Sequence, residues 1–119
     1  MMRPSIEILE VFLCREFVDF RKGINGLSIL VEETLCLDPF SEQLFVFCNR
    51  KRNMLRILYW ERNGFCLWQK RLEKAKFIWP RNNESELVTL TGQQINWLLD
   101  GYDVFKMTPH ETLKYSTVL

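Results

Sequence analysis

Apolar positions recur along this chain with two different spacings, and each spacing predicts a different kind of secondary structure. From Leu27 to Leu35 they recur every three or four residues, as in a helix with one buried face. We expect this helix to end at Asp38, because Pro39 follows it and a residue before proline avoids the helical conformation.

A second, short helix is predicted near the C-terminus. Thr91 and Gln94 have the spacing of a capping box, in which each side chain bonds to the backbone N–H of the other residue. Ile95 and the leucines that follow it form an apolar face, and Gly101 is the type of residue that ends a helix.

Short apolar segments, rich in β-branched and aromatic residues, predict the strands. They cover residues 6–14, 44–48, 54–60, 65–72 and 76–79, and a further apolar segment, 87–90, follows an acidic loop. We therefore predict the α+β class, with an antiparallel β-meander of about five strands, one helix after the first strand and a short C-terminal helix. A single domain is expected over residues 1–105, and residues 106–119 are expected to form a loosely ordered tail.

The dipeptide Asn63-Gly64 favours a two-residue hairpin turn between two of these strands. Such a turn sets Arg56 opposite Arg71, and opposed arginines repel unless solvent or an anion lies between them. One face of this hairpin is mostly apolar and is expected to join the core, with Lys70 at its edge. The other face carries arginines, a glutamine and aromatic rings, namely Arg56, Trp60, Arg62, Phe65, Gln69 and Arg71.

Charge is distributed very unevenly along the chain. The formal net charge is only +1, from 16 Lys and Arg against 15 Asp and Glu. Residues 50–81, however, hold ten basic and two acidic residues, a net charge of +8. This asymmetry indicates a negatively charged partner. A nucleic-acid backbone and an acidic protein surface satisfy it equally, and basic side chains on a solvated strand also hinder edge-to-edge association of sheets.

The sequence does not favour an enzyme, a metal protein or a membrane protein. Nuclease chemistry needs carboxylates gathered around divalent metal, whereas Asp19, Asp38 and Asp100 are far apart in the chain. The four cysteines form no Cys-x-x-Cys pair and the single histidine is His110, so we expect free thiols, no zinc site and no cofactor. No apolar run approaches the roughly 18 residues of a membrane-spanning helix. We also expect no signal peptide, and hence a cytoplasmic protein.

Several segments, in order along the chain, resemble one known family. They are FVDFRKG at 17–23, DPFS at 38–41, LFVF at 44–47, NRKR at 49–52, LRILYW at 55–60, GFCLW at 64–68, KRLE at 70–73, FIWP at 77–80 and WLLDG at 97–101. The family is the TnpB-type accessory protein encoded by the second open reading frame of IS66-class bacterial insertion sequences. The resemblance covers roughly residues 8–104. It implies a supporting role in transposition beside a separate transposase, without a catalytic site of its own.

The basic segments of that resemblance coincide with the cations found by counting charges. We therefore predict that the protein binds DNA through its central basic region. The predicted nucleic-acid contacts are Arg21, Lys22, Arg50, Lys51, Arg52, Arg56, Lys70 and Arg71, with base stacking on Trp60. The alternative is an interaction module that binds the transposase, or another protein encoded by the element, without contacting DNA.

Overall fold

Five strands and two helices make up the part of the chain that the computed structural model describes, residues 10–80 and 87–105. The predicted tail and the first four residues of the first predicted strand lie outside these ranges. In chain order the elements are β1 (Val11–Cys14), α1 (Ile24–Glu33), β2 (Leu44–Cys48), β3 (Met54–Glu61), β4 (Gly64–Arg71), β5 (Leu87–Leu90) and α2 (Gly92–Leu99).

The five strands form one mixed sheet in the order β4-β3-β2-β1-β5. Strands β2, β3 and β4 are connected as antiparallel hairpins, as the sequence predicts. The prediction of an entirely antiparallel meander is wrong, because β1 pairs with β2 in parallel. Helix α1 lies between these two strands in sequence and supplies the crossover that a parallel pair requires. Strand β5 then pairs antiparallel with the other side of β1.

Residues 76–79, predicted as a strand, belong to no strand of the sheet. Phe77 is nevertheless fully buried and Trp79 is almost so. Both join the core cluster that contacts α2. Two buried side chains separated by one half-buried residue produce the same alternation as a strand. The pattern therefore predicted the burial correctly and the type of element wrongly.

The β3–β4 turn lies one position earlier than predicted. Its two residues are Arg62 and Asn63, and Gly64 already pairs with Glu61 as the first residue of β4. Arg62 adopts φ 59°, a left-handed conformation that is uncommon outside glycine. In this register Arg56 lies opposite Gln69, so the predicted Arg56–Arg71 opposition is wrong. Each residue of β3 thus pairs with a residue of β4 that lies two positions earlier than predicted. Because side chains alternate between the two faces of a strand, a shift of two positions leaves every side chain on its predicted face.

Strand β2 is the centre of the fold, and all five of its residues are buried. Its alternate side chains join two different clusters. Phe45 and Phe47 pack with Leu27 and Val31 of α1 on one face of the sheet. On the other face Leu44, Val46 and Cys48 pack in a cluster that includes Ile95, Leu98 and Leu99 of α2. The sheet is therefore covered by one helix on each side.

The two helices differ in how well the sequence predicts their ends. Helix α2 has the predicted capping box, with Gln94 N–H donating to Thr91 Oγ1 over 3.1 Å, and Gly101 follows it at φ 97°. Helix α1 ends at Glu33 rather than at Asp38. Cys36 adopts φ 59° and the Leu37 N–H bonds to the Val31 carbonyl, so the chain turns away from the helix before the proline. Neither described helix has the length and apolar character needed to cross a membrane.

The thiols differ in accessibility, which predicts an order of reactivity. Cys36 is exposed, Cys66 is half-buried, and Cys14 and Cys48 are buried. Burial raises the pKa of Cys48 to about 12, so its nucleophilic thiolate is scarce at neutral pH. We expect a thiol-reactive reagent to modify Cys36 first and Cys48 only after unfolding. Peptide mapping by mass spectrometry after timed alkylation measures this order, and early labelling of Cys48 in the folded protein would contradict it.

Candidate nucleic-acid interface

An open cavity of about 630 Å³ lies beside the carboxyl ends of β1 and β2. We call it the basic cavity, because five of its lining residues are cationic and one is acidic. The cationic residues are Arg21, Arg50, Lys51, Arg56 and Arg71, the acidic one is Asp19, and Phe17, Val18, Phe20 and Met54 add apolar surface. Because β1 and β2 are parallel, the segments that follow them emerge at the same end of the sheet.

The loop from Asn49 to Asn53 forms one wall of the basic cavity and is held rigidly by its own side chains. Asn49 Oδ1 accepts hydrogen bonds from the backbone N–H groups of Asn53 and Met54, at 3.1 and 3.0 Å. Asn49 Nδ2 donates to Asn53 Oδ1 over 2.7 Å. These bonds close the loop and leave Arg50 and Lys51 exposed at its tip.

The segment between β1 and α1 forms the opposite wall. The Val18 N–H donates to the Cys48 carbonyl over 2.9 Å, which attaches this segment to the end of β2. Asp19 accepts bonds from both the backbone and the guanidinium of Arg21, with a shortest distance of 2.6 Å. The Arg21 guanidinium and then its backbone N–H hold the pKa of Asp19 at about 2, so this carboxylate remains ionised near neutral pH.

Arg56 joins the sheet to this second wall. Its Nη1 donates to the carbonyl oxygens of Phe20 and Lys22 at 3.0 and 3.3 Å, and its Nε donates to Gln69 Oε1 at 2.6 Å. Its guanidinium carbon lies 4.5 Å from the centre of the Phe20 ring, a cation–π geometry. Burial lowers the pKa of Arg56, although an arginine remains charged at neutral pH. Arg56 therefore positions the wall and adds its charge to the basic cavity.

The remaining cations of the basic cavity differ in how far they are neutralised. Arg21 is paired with Asp19, and Arg71 Nε lies 3.1 Å from a carboxylate oxygen of Glu73. Within residues 10–80 and 87–105, no ion pair or side-chain hydrogen bond involves Arg50 or Lys51. These two side chains are thus the best placed to receive an external anion.

The structure brings together five of the nine predicted contact residues at the basic cavity and places four elsewhere. Lys22 is exposed and does not line the basic cavity, although its carbonyl accepts a hydrogen bond from Arg56. Arg52 faces a second cavity on the other side of its loop. Lys70 lies on the opposite face of the sheet, where its Nζ donates to the Leu99 carbonyl at the end of α2 over 2.9 Å. This contact is favourable because the carbonyl end of a helix attracts cations.

Trp60, the fourth of these residues, lies near the other end of β3. Its ring packs edge-on against Phe40 and Phe65, with ring centres 4.9 and 5.0 Å away. We call these three residues the aromatic cluster. Phe40 is 53% exposed, so the cluster reaches the surface. Trp60 therefore does not lie among the cations with which the sequence groups it.

Sequence reasoning missed Phe17 and the two asparagines that shape the basic cavity. Phe17 precedes the first predicted contact residues, and only its aromatic side chain directly after Arg15 and Glu16 could have marked it. Asn49 and Asn53 flank the three consecutive cations symmetrically, which is a recognisable signal for a side-chain-closed loop.

Two of the three carboxylates considered for metal chemistry have local hydrogen-bonding roles. Asp19 holds Arg21, and Asp38 Oδ1 accepts the Phe40 backbone N–H over 3.0 Å in the turn before β2. Among the described residues, no three His, Cys, Asp or Glu side chains are grouped so that they could hold a metal ion.

Changing Arg56 to alanine is expected to destabilise the fold by about 2 kcal/mol. The estimate follows from the loss of charge-assisted bonds to two carbonyls and of the cation–π interaction with the Phe20 ring. Arg56→Lys should recover only part of this loss, because an ammonium cannot reproduce the forked guanidinium geometry. Urea unfolding followed by circular dichroism measures both variants. Equal stability of Arg56→Ala and the unchanged protein would show that the wall does not depend on Arg56.

Comparison with known proteins identifies similar sequences but no similar solved structure. A family described as "IS66 Orf2 like protein" matches residues 9–109. A protein of Sinorhizobium fredii (strain NBRC 101917 / NGR234), called uncharacterized protein y4hO, is 33% identical over 102 residues, which is 86% of this chain and 88% of the relative. Uncharacterized protein y4jC of the same strain is 36% identical over 103 residues, 87% of this chain and 86% of the relative. No solved structure matches.

Proposed function

Since the chain belongs to the IS66 Orf2-like family of transposition accessory proteins, we propose that it supports transposition by binding DNA phosphates at the basic cavity. The observation that carries the proposal is the convergence of cations from three separate parts of the chain on one concave surface. Arg50 and Lys51 are the primary contacts, because no carboxylate among the described residues neutralises them. Arg21 and Arg71 add charge at the margin, and Arg56 acts mainly by positioning.

The role is non-catalytic, since binding needs only cations held at fixed positions. Guanidinium groups bond two phosphate oxygens at once, whereas a lysine acts as a point charge. The rigid loop closed by Asn49 and Asn53 lowers the conformational entropy lost when Arg50 and Lys51 contact an anion. In this role the protein acts in the cytoplasm, together with the element's DNA and transposase.

Titration of labelled DNA with the purified protein at two salt concentrations tests this function. We expect binding that weakens as salt rises, with a log–log slope of about −0.9 for every duplex phosphate neutralised. A slope near zero, or no binding to any DNA at low salt, would overturn the proposal.

The aromatic cluster favours a second candidate function, binding of the transposase or another protein encoded by the element. Aromatic side chains at a surface are typical anchors of protein interfaces, and Phe40 is 53% exposed. This function predicts co-purification of the transposase that survives nuclease treatment and is lost in Phe40→Ala. Loss of the transposase on nuclease treatment would instead indicate that DNA bridges the two proteins.

A further inference from the structure

The basic cavity adjoins a second cavity, and Phe17 lines both. The second cavity has a volume of about 350 Å³ and is also lined by Arg15, Glu16, Arg52 and Trp79. Arg15 is paired with Glu16 at 3.0 Å. No ion pair of the described chain involves Arg52. One aromatic residue is therefore shared by two concave surfaces that each hold cations.

The loop from Asn49 to Asn53 supplies cations to both cavities. Arg50 and Lys51 line the basic cavity, and Arg52 lines the second one. Arg52 adopts φ 61°, a left-handed conformation that reverses the course of the backbone and separates its side chain from those before it. Three consecutive cations are thus divided between the two sides of Phe17.

The lining of the basic cavity suits an unpaired nucleotide better than a duplex backbone. Phe17, Phe20 and Met54 provide apolar surface beside the cations. A duplex shows phosphates and sugars on its outside and keeps its bases stacked within, so this apolar surface would gain no partner from a duplex. An unpaired nucleotide offers a phosphate for a cation and a flat base for an aromatic ring. The volume of about 630 Å³ also lies within the usual range for sites that enclose a small organic ligand.

We propose that Phe17 stacks on an unpaired base of single-stranded DNA, whose backbone runs from the basic cavity into the second cavity. Arg50 and Lys51 contact phosphates on one side of the stacked base, and Arg52 contacts a phosphate on the other side. This inference rests on the proposed function and deepens it by naming the form of DNA that the site selects.

Fluorescence anisotropy with one labelled DNA strand, alone and annealed to its complement, tests the proposal. We expect the single strand to bind about tenfold or more tightly than the duplex at the same salt concentration. Phe17→Leu keeps apolar volume but removes the flat ring. It should weaken single-strand binding by about tenfold and leave duplex binding unchanged. Phe105→Leu, the same substitution at another partly buried ring that packs against the same core cluster but lines neither cavity, is the matched control and should change neither affinity.

The outcomes separate this inference from the proposed function. Equal affinity for the two DNA forms, or a Phe17→Leu protein that binds the single strand normally, overturns the single-strand assignment while DNA binding stands. Tighter binding to an RNA strand of the same sequence overturns the assignment to DNA. Failure to bind either DNA form at low salt overturns both proposals.

Because Phe17 packs against the core, circular dichroism melting first establishes that Phe17→Leu is folded. Should it not fold, Arg52→Glu tests the same path from the other side of the stacked base. We expect this variant to bind the single strand about tenfold more weakly. A normal single-strand affinity in Arg52→Glu overturns the proposed path.

Discussion

Changing Arg50 and Lys51 together to glutamate is expected to weaken DNA binding by on the order of 100-fold at moderate salt. Both side chains are exposed at the tip of a rigid loop, and no described carboxylate neutralises them. The double variant can no longer bind two phosphates and adds two repulsive charges to the basic cavity. Its salt dependence should also become shallower, by a slope of about 0.9 for each duplex phosphate that is no longer neutralised. Anisotropy titrations over a series of salt concentrations measure both quantities.

Arg62→Glu provides a matched control for Arg50→Glu, with the same charge change at an exposed residue. Arg62 lies in the β3–β4 turn, at the end of the hairpin opposite to Arg71. Arg62→Glu should therefore leave the affinity for DNA nearly unchanged, whereas Arg50→Glu should weaken it. Neither substitution should alter folding stability by more than about 0.5 kcal/mol, as is usual at exposed positions. If both variants weaken binding equally, only the net charge matters and the basic cavity is not the site.

Trp79→Ala is expected to destabilise the protein by about 3–5 kcal/mol, the largest stability effect that we predict. Trp79 is 3% exposed and fills a space in the core cluster that contacts α2. Its indole N–H also donates to the carbonyls of Cys14 and Arg15, at 3.3 and 3.1 Å, where the chain leaves β1. Loss of this ring therefore removes both buried apolar area and the connection between residues 76–79 and the sheet.

Two further variants separate the causes of this loss. Trp79→Phe retains most of the buried apolar area but cannot donate the indole hydrogen bond. We expect this missing bond to lower the free energy of unfolding by about 1 kcal/mol, in addition to the loss caused by the smaller ring. Trp60→Ala applies the same truncation in the surface aromatic cluster and should cost less than Trp79→Ala. Guanidinium unfolding followed by circular dichroism measures all three. If Trp60→Ala lowered the free energy of unfolding as much as Trp79→Ala does, the difference in exposure between the two tryptophans would not determine their contributions to stability.

The connection through Trp79 explains why a segment without strand pairing matters to the candidate site. Phe77 N–H donates to the Arg52 carbonyl over 2.7 Å, so residues 76–79 also support the loop that carries Arg50 and Lys51. The loop is thus held on one side by its own asparagines and on the other by a buried segment. A destabilised Trp79 variant should accordingly bind DNA more weakly near its melting temperature than well below it.

Local interactions explain what could be predicted from the sequence. The capping box of α2, the run of buried residues in β2 and the two faces of the β3–β4 hairpin each depend on residues close together in the chain. The basic segment 50–81 and the family resemblance are properties of the sequence itself. Lys70 and Arg71 show a limit even here. They are adjacent in the sequence and were therefore predicted to contact the same partner. Neighbouring residues of a strand point to opposite faces of the sheet, however, and Lys70 and Arg71 do so.

Pairing between strands that lie far apart in the chain decided the features of the fold and of the candidate site that the sequence did not predict. The sequence by itself determined which segments are apolar, where α2 begins and ends, and that the cations lie mostly in the middle of the chain. Only the tertiary structure decided that β1 pairs in parallel with β2, that Phe77 and Trp79 are buried without strand pairing, and that Arg21 lines the same cavity as Arg50 and Lys51. The physical reason is that strand pairing joins residues far apart in the chain. The neighbours of a side chain therefore depend on the order and direction of the strands in the sheet. Local secondary-structure propensity carries no information about this order or direction.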